Sequence, residues 1–142
     1  MRSAWNDNSD RVRPTRQVTN KHTGTILLVD DDHKWRKILQ EFLELKGFTV
    51  IMADSGEEAL ERLARAAPRV VLLDVKLPGM DGLLTLKHIR ASHPNLPVIF
   101  ITHMDEEQIM KEAGILGVND YLIKPFNFEQ LEAVLSTHLF TT

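Results

Sequence analysis

From Thr25 onward, short apolar runs alternate with amphipathic stretches, and few architectures accept that order. Residues 25–29, 48–52, 70–73, 98–101 and 121–123 read as strands, three of them continuously apolar, as strands covered on both faces should be. Helical periodicity fills the intervals. Trp35, Ile38, Leu39, Phe42 and Leu43 recur at helical spacing, and Gly47 marks the stop. Ser55 with Glu58 forms a capping-box signature, Leu60, Leu63 and Ala64 supply a buried stripe, and Pro68 ends the segment. A third helix carries Leu83, Leu84, Leu86 and Ile89 and halts at His93 and Pro94. A fourth carries Ile109, Met110, Ala113 and Leu116 behind Asp105, Glu106 and Glu107, where acidic groups suit the helix dipole. The last carries Leu131, Val134, Leu135 and His138. This alternation predicts an α/β fold: a five-stranded parallel sheet with right-handed crossovers and helices on both faces.

Length and composition narrow the function classes. A chain of 142 residues, 43% of them hydrophobic, is one domain by length and can bury a real core. Its net charge of −3 carries no basic excess, so no direct nucleic-acid binding is expected. Cysteine is absent, which removes both a disulfide frame and a thiolate metal site. The apolar runs at 70–73 and 98–101 are far too short for a membrane span, and no signal-peptide pattern opens the chain. A cytoplasmic protein is expected. Residues 1–24 differ from the rest: Arg2, Arg11, Arg13, Arg16 and Lys21 face only Asp7 and Asp10, and Trp5, Val12 and Val18 are isolated. Such a segment buries too little to offset its ordering entropy, so a flexible leader at 1–24 is expected ahead of a domain at 25–142.

In a parallel α/β sheet, chemistry gathers where the strands end. The first strand delivers Asp30, Asp31 and Asp32, the third Asp74, the fourth Thr102, and the fifth Lys124 followed by Pro125. Massed carboxylates repel one another, and a hard divalent cation relieves the repulsion; two or three oxygens plus water suit Mg²⁺. With no cysteine and no histidine pair at ligand spacing, zinc does not fit. Mg²⁺ favours phosphoryl chemistry, in which Lys124 and Thr102 take phosphate oxygens and an aspartate serves as nucleophile.

The blocks "TILLVDDD", "VVLLDVKLPGMDG", "PVIFITH" and "NDYLIKPF", in this order, give the chain a resemblance to the receiver domain of two-component response regulators over about residues 25–139. The resemblance implies a flavodoxin-like (βα)5 fold with strand order 2-1-3-4-5. It implies that Asp74 is the phosphoacceptor, that Asp31 binds Mg²⁺ directly, and that Asp30 holds the metal through water. The backbone carbonyl of Lys76 would be the third protein ligand. Thr102 would swing its hydroxyl to a phosphoryl oxygen, Lys124 would pair with the phosphate, and Tyr121 would be the switch aromatic. A cis peptide before Pro125 would aim Lys124 into the site. The implied partners are a histidine kinase or phosphotransfer protein as donor and a downstream protein of unknown identity. Whether phosphorylation also drives a dimer through the face of the fourth helix, fifth strand and fifth helix is left open.

Simpler roles suit several neighbours. Asp32 reads as the cap of the first helix, with metal ligation the lesser alternative, Lys76 by itself as a solvated loop lysine, and Asp81 with Gly82 as turn and helix start. His33, His88, His93 and His138 have no motif partner and read as surface histidines. One position departs from the family pattern: a small residue usually follows the switch threonine, and here it is His103. Its bulk is expected to narrow the approach to Asp74 and to modulate the rate of phosphoryl gain or loss.

Three function classes compete. A phospho-switch, which catalyses only its own phosphorylation and dephosphorylation, needs the Asp, Thr and Lys residues of the strand ends, and all are present. A hydrolase of the haloacid-dehalogenase type needs a second Asp two residues after the nucleophile, and Lys76 stands there. The remaining alternative is a receiver-like protein-binding module that is never phosphorylated; it predicts the loss of an Asp, Thr or Lys that this chain retains. Whether the chain works alone or as part of a longer regulator is left open.

Overall fold

The computed structural model describes residues 24–103 and 106–139. Its elements alternate as the periodicity requires: β1 (Thr25–Val29), α1 (His33–Leu45), β2 (Thr49–Ala53), α2 (Gly56–Arg65), β3 (Val70–Asp74), α3 (Gly82–Ser92), β4 (Val98–His103), α4 (Glu107–Leu116), β5 (Asp120–Lys124) and α5 (Phe128–Leu139). The strands form one parallel sheet in the order β2-β1-β3-β4-β5. Of the expected leader only Gly24 is described, and the expected helix-start acid Asp105 also lies outside the described residues.

Strand alternation divides the core. Leu27, Val29, Val71, Leu73 and Phe100 pack on one side with Ala59, Leu63, Leu86, Ile89 and Ala113, beneath α2, α3 and α4. Ile26, Leu28, Val70, Leu72 and Ile99 pack on the other with Leu39, Leu43, Leu131 and Leu135, beneath α1 and α5. With both faces covered, successive residues at 26–29, 70–73 and 98–101 are buried whichever way they point, and these stretches of β1, β3 and β4 are therefore apolar without interruption.

The ends of the elements differ from expectation in ways that matter for the site. Strands expected to stop at 73, 101 and 123 continue one or two residues further, because the ladder goes on pairing Asp74 with Ile101, Thr102 with Ile123 and His103 with Lys124. Asp74, Thr102 and Lys124 therefore stand on hydrogen-bonded strand rather than on loops, while Asp30 and Asp31 follow the end of β1. In α2 the buried positions are Gly56, Ala59 and Leu63, while Ala64 is exposed. Ile38 and Leu84, expected in buried stripes, are 46% and 44% exposed, since helical spacing marks a face without marking its width.

Local signals were more dependable. Asp32 Oδ1 accepts the N–H groups of Lys34 and Trp35 at 3.1 Å each, capping α1. Ser55 Oγ accepts from the Glu58 N–H at 3.1 Å, but Glu58 returns its carboxylate to the Asp54 N–H at 2.7 Å, one residue earlier than an ideal box. Asp81 caps α3 through the Leu84 N–H at 2.9 Å. Gly82 also has a packing reason: a Cβ there would lie 2.7 Å from the Val75 Cα and 2.9 Å from the Asp74 carbonyl, so the chain beyond β3 closes on bare backbone. The rings of His33 and His93 contact near neighbours in the chain, Arg36 and Ser92. The expectation of a surface histidine fails at His138, whose side chain is 18% exposed and whose Nε2 lies 2.9 Å from Asp120 Oδ2. Asp120 opens β5, and the return of α5 along β5 brings the two together.

Candidate functional site

At the carboxyl edge of the sheet, Asp74 ends β3 with its side chain only 9% exposed. Its Oδ2 receives the Lys124 ammonium at 3.0 Å, and its Oδ1 receives the Lys76 backbone N–H at 3.0 Å. Lys124 arrives from the end of β5, across β4, and the Lys124–Pro125 peptide is cis. Asp30, immediately after β1, is fully buried. Its Oδ1 accepts the Asp32 N–H at 2.9 Å, while its Oδ2 has no hydrogen-bond partner among the described residues. Asp31 beside it is exposed. Ligand oxygens of Asp30, Asp31 and Asp74 lie within 4.8 Å of one another.

This geometry carries electrostatic strain. Burial pushes Asp30 up to about 6; the Asp32 N–H and the Lys124 charge oppose the rise, and the charges of Asp74 and Asp31 add to it. A buried carboxylate oxygen without a donor, beside two more carboxylates, is an all-oxygen donor set for a hard divalent cation and offers nothing that selects zinc. The residues present therefore fit Mg²⁺.

The structure brings Asp30, Asp31, Asp74 and Lys124 together, and it places the remaining candidates around them. Thr102, buried near the end of β4, donates its hydroxyl to Glu106 Oε2 at 2.7 Å. Glu106 also holds the Lys76 ammonium at 3.1 Å, and its side chain is 8% exposed. Sequence reasoning missed this role, because an acid at a helix start already has a local explanation; the sequence signal was an acid four residues after the hydroxyl. Tyr121 stands apart, its hydroxyl donating to the Met110 carbonyl of α4 at 2.7 Å and thus joining β5 to α4. Burial, then the charge of Asp120, raises the Tyr121 pKa. His103 is exposed and, with Asp32, Trp35, Lys124, Pro125 and Phe126, lines an open cleft of about 640 Å³ beside the cluster. Among the described residues no helix is long and apolar enough to cross a membrane.

Known proteins share this arrangement of strands and helices. The receiver domain of NtrX from Brucella abortus matches with a TM-score of 0.77 at 34% identity, covering 82% of this chain and 99% of that one. The chemotaxis protein CheY4 of Vibrio cholerae matches with a TM-score of 0.79 at 29% identity, covering 83% and 100%. In sequence, the transcriptional regulatory protein ZraR of Escherichia coli is 42% identical over 114 residues, 80% of this chain and 26% of that protein. The chain thus spans about a quarter of the length of this curated relative. A family model described as the response regulator receiver domain matches residues 26–136, which takes in the whole acidic edge and, but for Thr25, all five strands; the chain belongs to that family.

Proposed function

We propose that this receiver domain accepts a phosphoryl group on Asp74 from a histidine kinase or a phosphotransfer protein. The observation that carries the reading is the Asp74 carboxylate held between the Lys124 ammonium and the Lys76 N–H, each at 3.0 Å, beside a buried Asp30 oxygen with no donor. Asp31, Asp30, Asp74 and the backbone carbonyl of Lys76 would hold Mg²⁺, which when bound neutralises phosphate oxygens.

In the transfer, an Asp74 carboxylate oxygen forms a bond to phosphorus as the bond from phosphorus to the donor histidine nitrogen breaks, leaving its electron pair on the imidazole. Lys124 then exchanges its bond to the Asp74 carboxylate for one to a phosphoryl oxygen. Thr102 turns its hydroxyl to a second phosphoryl oxygen, and Tyr121 carries the change to the face formed by α4, β5 and α5. That face would meet a downstream protein or a second phosphorylated copy.

ZraR is named a transcriptional regulatory protein, and only a quarter of its length corresponds to this chain. A net charge of −3 with no basic excess supports action on proteins rather than on DNA directly.

The test is the intact mass of the wild type and of Asp74→Asn after incubation with acetyl phosphate, with and without Mg²⁺. A gain of one phosphoryl group requiring both Mg²⁺ and Asp74 is expected. Equal phosphorylation of Asp74→Asn would refute the acceptor assignment, and no gain even with a cognate kinase would return the non-phosphorylated binding module.

A further inference from the structure

A threonine hydroxyl has one proton to donate. In this structure the Thr102 proton goes to Glu106 Oε2 at 2.7 Å; the His103 carbonyl at 3.4 Å is a far weaker acceptor. Glu106 is an unusual residue to find in that place. It directly precedes α4, where a side chain ordinarily caps the helix, yet it makes no capping bond. Its carboxylate turns inward instead, with Oε2 on Thr102 and Oε1 on the Lys76 ammonium. Burial by itself would raise the Glu106 pKa; the two hydrogen bonds and the Lys76 charge outweigh it and hold the group below the usual carboxylate range.

Both donors that Glu106 occupies belong to the surroundings of Asp74. Thr102 is the hydroxyl the phosphoacceptor reading sends to the phosphoryl group, and Lys76 touches Asp74 through its own backbone N–H. The carboxylate thus lies where it competes with an incoming phosphoryl group for the same hydroxyl.

We propose that Glu106 is a positioning residue that holds Thr102 in its unphosphorylated orientation, so that the Thr102–Glu106 hydrogen bond and a bond from Thr102 to a phosphoryl oxygen exclude one another. The inference rests on the phosphoacceptor reading and deepens it: Glu106 sets the threshold at which the switch turns. Release of Thr102 also frees the Glu106 carboxylate to cap α4, which links the site to that helix by one side chain.

Two measurements test this on the full chain. Scalar couplings about the Thr102 Cα–Cβ bond report its rotamer without any phosphoryl chemistry; one rotamer is expected in the unliganded wild type and an averaged value in Glu106→Ala. Averaging already present in the wild type would overturn the latch while leaving the phosphoacceptor reading intact. Calorimetric titration with beryllium fluoride, a phosphoryl mimic, in the presence of Mg²⁺ then reads the energetic cost. Losing one charge-assisted hydrogen bond should tighten the mimic about tenfold in Glu106→Ala. The tightening should be smaller in Glu106→Gln, which keeps the volume and a neutral acceptor, and absent when either substitution is made in Thr102→Val. No tightening, or equal tightening in the Thr102→Val background, would overturn the proposal, the latter because the effect would be charge acting directly on the mimic. Failure of the wild type to take up either the mimic or a phosphoryl group would sink the phosphoacceptor reading and this inference with it.

Discussion

Lys124 and Asp74 are 50 residues apart in the chain, and the ammonium of one lies 3.0 Å from the carboxylate of the other. Neither side chain is freely solvated, at 23% and 9% exposed, so the pair is screened less than a surface ion pair. In the proposed chemistry the same ammonium stabilises the charge that develops on the phosphoryl oxygens. Lys124→Ala is expected to slow phosphorylation by acetyl phosphate by about 10²-fold, the scale of losing one preorganised donor. A time course of intact mass checks this; a rate equal to the wild type's would remove Lys124 from the mechanism.

Asp30 yields a pH dependence whose sign is fixed. Its pKa rises from 3.8 to about 6 on folding, first through burial. A carboxylate with a raised folded pKa favours the folded state most below the unfolded value, and that contribution is lost as pH rises through the folded one. Through this group the metal-free protein should become less heat-stable between about pH 4 and pH 6. Mg²⁺ displaces the proton, so the rise in Tm caused by Mg²⁺ should grow over about pH 5 to pH 7. Thermal unfolding in Mg²⁺ and in chelator across that range is the measurement. Asp30→Asn should flatten both trends, and a Mg²⁺ effect independent of pH would argue against Asp30 at the metal.

Asp32 has two candidate roles, and its geometry separates them. Both its bonds, at 3.1 Å to the N–H groups of Lys34 and Trp35, are capping bonds. Asp32→Ala should destabilise the fold by about 1 kcal/mol and leave the Mg²⁺ requirement for phosphorylation unchanged. Chemical denaturation and the acetyl phosphate assay measure the two effects; a lost Mg²⁺ response would make Asp32 a ligand.

His103 lines the cleft beside Lys124 and pairs with it across the ladder between β4 and β5. If its ring restricts the approach of water to the phosphoryl group, His103→Ala should lose the group a few-fold faster than the wild type. Decay of the phosphorylated mass after donor removal decides the matter, and equal lifetimes would assign His103 to solvent.

Much of this was legible in the chain itself. Continuous apolar runs such as Val70, Val71, Leu72 and Leu73 announced strands buried on both faces. Asp32, Ser55 and Asp81 announced their helices, because a cap and the N–H it satisfies lie within three residues of each other. Other features had no such signature. Ile38 and Ala64 obeyed helical spacing and are exposed, because the width of a buried stripe depends on what packs against it. Glu106 was explained too early by the helix it precedes, since its second partner, Lys76, comes close only when the segment after β3 meets the end of β4. His138 met Asp120 only through the return of α5.

The division follows from the range of the forces. Periodicity, caps and strand-terminal carboxylates are written in neighbouring residues, and by themselves they determined the layering, the helix starts and the edge where chemistry collects. Only the tertiary structure decided which charges face one another and which lose their water. The orphaned Asp30 oxygen, the Lys124–Asp74 pair and the grip of Glu106 on Thr102 all depend on strand register and on burial by distant elements, because desolvation and Coulomb energy follow distances in space.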